Sequence, residues 1–129
     1  MRLSKQYALR KMVYGLSNAV PDVVDLTQVE SVIDVGAGTC AWMLDLVANQ
    51  EVSRRLNDMR LYVCDIDPGF FPPSITELGI TPFRQDVTKS FPNELHGTFD
   101  LVHASFVVGC LTKAGWSSAL KNYHRLLSG

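Results

Sequence analysis

The chain alternates between short β-branched runs and longer helical stripes. Through residues 4–18, Leu9, Met12, Val13 and Leu16 recur at helical spacing and predict a first helix, broken by Pro21 and Asp22. SVIDVG predicts a strand ending at Gly36. AWMLDLVANQEVSRRL predicts one helix, apolar on most sides at its start and polar later. RLYVCDID reads as a second strand, and a short helix follows over Pro72 to Leu78 among Pro68, Pro72 and Pro73. TPFRQD is a third strand, FPNELHGT a loop or one helical turn, and FDLVHASF a fourth strand. GWSSALKNYHRLL closes the pattern as a helix with Trp116, Leu120, Tyr123 and Leu127 on one face.

Strands alternating with helices predict an α/β fold, a Rossmann-like parallel sheet with helices on both faces. In such sheets ligands bind beyond the carboxyl ends of the strands. The turn after the first strand, VIDVGAGTCAW, lies at that end, so its chemistry decides the reading.

Composition narrows the classes. The 129 residues form a single domain's worth of chain, 47% apolar and 19% charged. A formal net charge of -1 gives no overall basic footprint for nucleic acid. No apolar run reaches the roughly 18 residues of a membrane helix. Cys40, Cys64 and Cys110 form no CxxC pair and read as reduced thiols of an intracellular protein, in the cytoplasm or nucleus. The acid-free N-terminus, with Arg2, Lys5, Arg10 and Lys11, reads either as an amphipathic helix of the domain or as a mitochondrial presequence.

Gly36, Gly38 and Ala41 fit the dinucleotide pattern G-x-G-x-x-G/A. That pattern places a ribose-binding acid about 20 positions on, whereas Asp65 stands 27 positions after Gly38. A nicotinamide reading is strained but stays open. Asp34 argues for another ligand, because a carboxylate two residues before Gly36 would repel a pyrophosphate and suits a cationic group. S-adenosyl-L-methionine carries an ammonium and a sulfonium and no phosphate. On this reading the turn Gly36, Ala37 and Gly38 holds the cofactor and Asp65 accepts from both ribose hydroxyls. Asp86 accepts from the adenine amine, Ile66 and Val87 flank the ring, and Ser105 and Phe106 face the methionine half.

Plainer roles stand beside these. Asp34 could be a cap or turn carboxylate, and Asp65 and Asp86 ordinary strand-end polar residues. Asp67, before Pro68, reads as a cap. His103 reads as a structural, hydrogen-bonded histidine before a base. Tyr7, Tyr14 and Trp42 could lend an aromatic face to the sulfonium or simply pack. Cys40 and Cys110 have no base nearby in sequence to make them nucleophiles.

VIDVGAGTCAW, LYVCDIDP, FRQDV and FDLVHASF, in that order, resemble the motifs of class I S-adenosylmethionine-dependent methyltransferases. The details are most similar to the fungal LaeA-like group, with a G-x-G-x-G-x-W run, FD-x-x-H-A and a Trp-containing helix. Here these are Gly36, Gly38, Cys40 and Trp42, then Phe99, Asp100, His103, Ala104 and Trp116. The resemblance spans about Lys5 to Leu127. It implies the first part, strand order 3-2-1-4, of a seven-stranded sheet ordered 3-2-1-4-5-7-6. It also implies methyl transfer to a small-molecule or protein acceptor, and an N-terminal helix capping the cofactor site. Cys40 departs from the family by replacing its third glycine. The chain also ends at RLLSG, where the family continues into three more strands. Residues 1–129 would then be one cofactor-binding domain without those strands, and a non-catalytic binding or interaction domain is the alternative. A missing fifth strand further predicts an unpaired edge on the fourth, open to self-association or a partner chain.

Overall fold

A computed structural model describes residues 25–104 and 113–128, together with the backbone of residues 11–14. Five strands form one sheet: β1 (Lys11–Tyr14), β2 (Ser31–Val35), β3 (Arg60–Asp65), β4 (Ile80–Arg84) and β5 (Leu101–Ala104). Their order is β1-β5-β2-β3-β4 and every pairing is parallel. The four strands expected from the sequence are β2 to β5, and they stand in the expected order 3-2-1-4. β2 and β5 are central and fully buried along their length, as β-branched strands covered on both faces should be. β4 is the outer strand and tolerates Pro82, whose missing N–H costs nothing on an unpaired side.

Among the described residues, three α-helices flank the sheet: α1 (Ala41–Ala48), α2 (Gln50–Arg54) and α3 (Lys113–Leu126). Trp42, Met43 and Leu46 of α1 and Val52 of α2 pack with Val32, Leu61, Val63 and Leu101 on one face. Ala119, Tyr123 and Leu126 of α3 pack with Ile33, Val35, Cys64 and Val102 on the other, beside Phe91, Leu95 and Phe99. Edge-on ring contacts between Tyr62 and Phe99, 5.4 Å apart, and between Tyr62 and Phe83, 6.3 Å apart, extend this second layer toward β4.

Four expectations are corrected. Within the predicted first helix, residues 11–14 form strand β1; residues 4–10 and 15–18 lie outside the described residues. The short stretch KMVY suits either element, and pairing with β5 decides it. The fourth predicted strand therefore has no unpaired edge, because Lys11–Tyr14 pair along Leu101–Ala104 on the side away from β2. The basis for self-association through that strand is removed. The single helix expected over residues 41–56 is two, because Asn49 leaves helical geometry and its side chain accepts from Glu51 N (2.9 Å) and Val52 N (3.4 Å), capping α2. The buried stripe of α3 is Ala119, Asn122, Tyr123 and Leu126, rotated from the predicted one, with Trp116 and Leu120 half-buried and Leu127 beyond the helix. Asn122 is drawn inward because its Nδ2 donates to the carbonyls of Val87 (2.9 Å) and Lys89 (2.8 Å).

Candidate functional site

The turn between β2 and α1 is built from left-handed residues. Gly36, Gly38 and Cys40 have φ of 68°, 58° and 66°. Glycine meets this need without a steric penalty, and Cys40 meets it as a non-glycine residue. Ala37 N donates to the Cys64 carbonyl (3.0 Å), tying the turn to β3, and Leu44 N donates to the Cys40 carbonyl (2.9 Å) to start α1. A Cβ added at Gly36 or Gly38 would meet nothing within 4 Å. The space before the turn is therefore open, and the demand for glycine comes from the backbone angles.

Because β2, β3 and β4 are parallel neighbours, Asp34, Asp65 and Asp86 lie at or just past one end of the sheet, across a span of roughly 10 Å. Asp65 Oδ2 accepts from Gly38 N (2.9 Å) and Oδ1 from Asp67 N (3.0 Å). The expected ribose acceptor thus also clasps the glycine turn. Each carboxylate oxygen keeps a second lone pair for a hydroxyl. Asp86 Oδ1 accepts from Thr88 N (2.9 Å) and Thr88 Oγ1 (2.7 Å), which holds its carboxyl below the usual range. Ile66 is 57% exposed beside these groups. Val87 is half-buried against the α3 layer, and its carbonyl is taken by Asn122. Asp67 is a cap, accepting from Gly69 N (3.0 Å). Ser105 and Phe106 lie outside the described residues, as do Tyr7 and Cys110, and nothing is described of the Tyr14 side chain.

Asp34 is neither a cap nor a turn carboxylate. It is 1% exposed, and its Oδ1 is 2.7 Å from Nδ1 of His103, its register partner on β5. The Trp42 indole stacks on the His103 ring, with centroids 4.0 Å apart and planes within 5°. Sequence reading named all three residues but not their association, because it depends on strand register across 69 positions. The signal available beforehand was that both Asp34 and His103 precede the ends of apolar strands. Burial pushes the Asp34 carboxyl up; the His103 bond and charge oppose this, while nearby Asp65 adds to it. Among the described residues, Asp34 Oδ2, His103 Nε2 and Trp42 Nε1 are buried without a hydrogen-bond partner. Burial, with Asp34 and Asp65 nearby, pushes the Cys40 thiol up to about 11 and raises Cys64 further. Neither thiol supplies a nucleophile at neutral pH.

The described residues contain no group of three or more His, Cys, Asp or Glu side chains able to hold a metal, and no helix long and apolar enough to cross a membrane. No protein-family model matches the sequence. Methyltransferase grgD from a Penicillium species is 30% identical over 132 residues, covering 98% of this chain and 44% of the relative. The apo structure of the S-adenosylmethionine-dependent methyltransferase SibL superimposes with a TM-score of 0.59 at 23% identity, covering 86% of this chain and 31% of SibL. The chain is thus similar in sequence to that methyltransferase and in fold to an S-adenosylmethionine-dependent methyltransferase. It has the methyltransferase order of strands over β2 to β5. It spans under half the length of the Penicillium methyltransferase. A presumed Zn-dependent alcohol dehydrogenase from Rhodobacter sphaeroides also superimposes, with a TM-score of 0.58, 21% identity and coverage of 76% of this chain and 37% of that one. The fold is thus shared across classes, and the residues of the site distinguish one cofactor from another.

Proposed function

We propose that this chain forms the S-adenosylmethionine-binding domain of a methyltransferase, with residues 1–129 as one unit. The carrying observation is the row of carboxylates. Asp34, buried with an oxygen that has no partner among the described residues and with the Asp65 carboxylate nearby, makes the floor of the turn a receptor for positive charge. That suits an ammonium and a sulfonium and opposes the pyrophosphate of a nicotinamide cofactor. Gly36, Ala37 and Gly38 would lie against the methionine and ribose portion, where the open space before the turn leaves room. Asp65 would accept from the ribose hydroxyls, Asp86 from the adenine amine, and exposed Ile66 would cover one ring face. Val87 contributes backbone position more than a side-chain face. Ser105 would border the methyl end.

Bound S-adenosylmethionine supplies an activated methyl group on a cationic leaving group, so no protein acid is required. The chain's own task is to hold donor and acceptor in line and keep water out. No acid–base dyad open to an acceptor is needed, and an acceptor of either class, small molecule or protein, remains compatible. The Penicillium relative supports a fungal-type enzyme, and the LaeA-like reading rests on the run Gly36, Gly38, Cys40 and Trp42 with Phe99, Asp100, His103 and Ala104. The free buried thiols of Cys40 and Cys64 support a reducing compartment, cytoplasm or nucleus.

Titration calorimetry with S-adenosylmethionine, its demethylated product and NAD tests the reading. The first two should bind and NAD should not; the reverse preference would sink it. Asp65→Ala removes a charged acceptor and should weaken binding by about 10- to 150-fold, the equivalent of roughly 1.5–3 kcal/mol. Turnover of a methyl donor with candidate acceptors would then separate an enzyme from a non-catalytic binder.

A further inference from the structure

The stacked group Asp34–His103–Trp42 is not explained by fold alone. A β-strand position facing a helix in this core is otherwise filled by Val32, Leu61, Val63 or Leu101. Here a carboxylate at 1% exposure and an imidazole at 2% take two such positions side by side. Among the described residues each ends in an atom without a partner, and so does the indole over them. An unsatisfied buried polar group is costly, so three together mark a place where stability has been given up. The imidazole is not placed to act as a base on an acceptor: it is buried, one face lies under Trp42, and Nδ1 is committed to Asp34. What the geometry does provide is control of the carboxylate. A donor 2.7 Å from Oδ1 fixes the rotation of the Asp34 side chain and stabilises its ionised form against burial and against Asp65. The flat stack on Trp42 fixes the ring that does this.

We propose that His103 is a positioning residue for the amino-acid end of the cofactor: held by Trp42 and joined to Asp34 Oδ1, it keeps a buried Asp34 ionised beneath the glycine turn, where the negative charge favours the ligand's ammonium. This rests on the S-adenosylmethionine reading above and assigns its specificity to a pair the ligand does not have to touch through His103. The titratable groups acting on Asp34 are His103 and Asp65, with the protonated thiols of Cys40 and Cys64 nearby.

The test compares two ligands on the full chain. S-adenosylhomocysteine carries the amino-acid end; 5′-methylthioadenosine has the adenosine and thioether without it. His103→Leu should weaken S-adenosylhomocysteine by about tenfold or more and leave methylthioadenosine within about twofold, the loss of one charge–charge attraction. His103→Asn, whose amide can donate from nearly the same place as Nδ1, should restore S-adenosylhomocysteine to within about threefold of wild type. Equal weakening of both ligands, or of neither, would overturn the proposal by showing that His103 only packs. Should the leucine variant not fold, the wild-type imidazole nitrogens decide it. Their NMR shifts should move with S-adenosylhomocysteine and stay with methylthioadenosine, and an equal response to both would refute it. Wild type binding neither ligand would instead bring down the cofactor reading itself.

Discussion

Cys40 carries a side chain where the backbone favours none. Its φ of 66° is left-handed, and its sulfur is fully buried in the α1 layer. The left-handed angle costs a non-glycine residue about 1–2 kcal/mol, and loss of a small buried side chain costs a similar amount. Cys40→Gly should therefore leave stability within about 1 kcal/mol of wild type, whereas Cys40→Val, β-branched at positive φ, should lose about 2 kcal/mol or more. Urea denaturation of the two variants checks this, and a valine variant as stable as the glycine one would show that the turn relaxes. Asp34 makes a second residue-scale prediction. Its carboxyl is raised from 3.8 in the folded chain, so the folded state binds more protons there than the unfolded state. That contribution lowers stability as pH rises from the ordinary aspartate value through the raised one. Asp86 is shifted the other way by Thr88, so its stabilising contribution is present above 3.8 and is lost as pH falls through its lowered value. Thermal melts from pH 4 to pH 8 should show wild type losing stability relative to Asp34→Asn as pH rises. A constant difference between the two would mean that Asp34 is not perturbed.

At the scale of elements, the strands were legible because each is a short β-branched or apolar run bounded by glycine, proline or a carboxylate. β2 to β5 follow from that signal, and their burial on both faces follows from parallel pairing. The break between α1 and α2 was not legible from periodicity, because Val47, Glu51 and Val52 continue a plausible stripe through Asn49. A side-chain oxygen that can cap decides it locally. Removing that oxygen with Asn49→Ala should cost about 1 kcal/mol, the usual value of an N-cap. A variant of unchanged stability in chemical denaturation would show that α2 is held by packing of Val52 alone. The rotation of α3 was hidden for a related reason. A buried asparagine is not predicted by an apolar stripe, yet Asn122 faces inward to meet two carbonyls of the loop that carries Asp86. The strand β1 was not legible because a four-residue stretch with Met12 and Val13 fits a helix as well as a strand until a partner strand is known.

For the whole molecule, the candidate site was half legible. Each acid could be read at the end of its own strand, and their alignment followed once the sheet order was inferred. The clasp of Gly38 by Asp65, and the union of Asp34, His103 and Trp42, needed three-dimensional register. Both features tie the glycine turn to the sheet through side chains that the cofactor reading also needs. Ligand binding and the stability of the sheet's carboxyl end should therefore be coupled. A ligand that binds the folded state alone stabilises it by about 2.7 kcal/mol at a hundredfold excess over Kd. For a domain of this size that corresponds to a rise in Tm of roughly 10 °C. S-adenosylhomocysteine should produce such a rise in wild type, and NAD at equal concentration should produce none. Gly38→Val separates ligand from scaffold. Its Cβ has open space around it but its φ of 58° is unfavourable to valine, so the free variant should melt lower than wild type yet still cooperatively. Added S-adenosylhomocysteine should then leave its Tm unchanged, because the branched side chain fills the space in which the ligand would approach the turn. Differential scanning calorimetry of both proteins with and without ligand makes the comparison. A Gly38→Val variant that gains as much as wild type would place the ligand away from this turn.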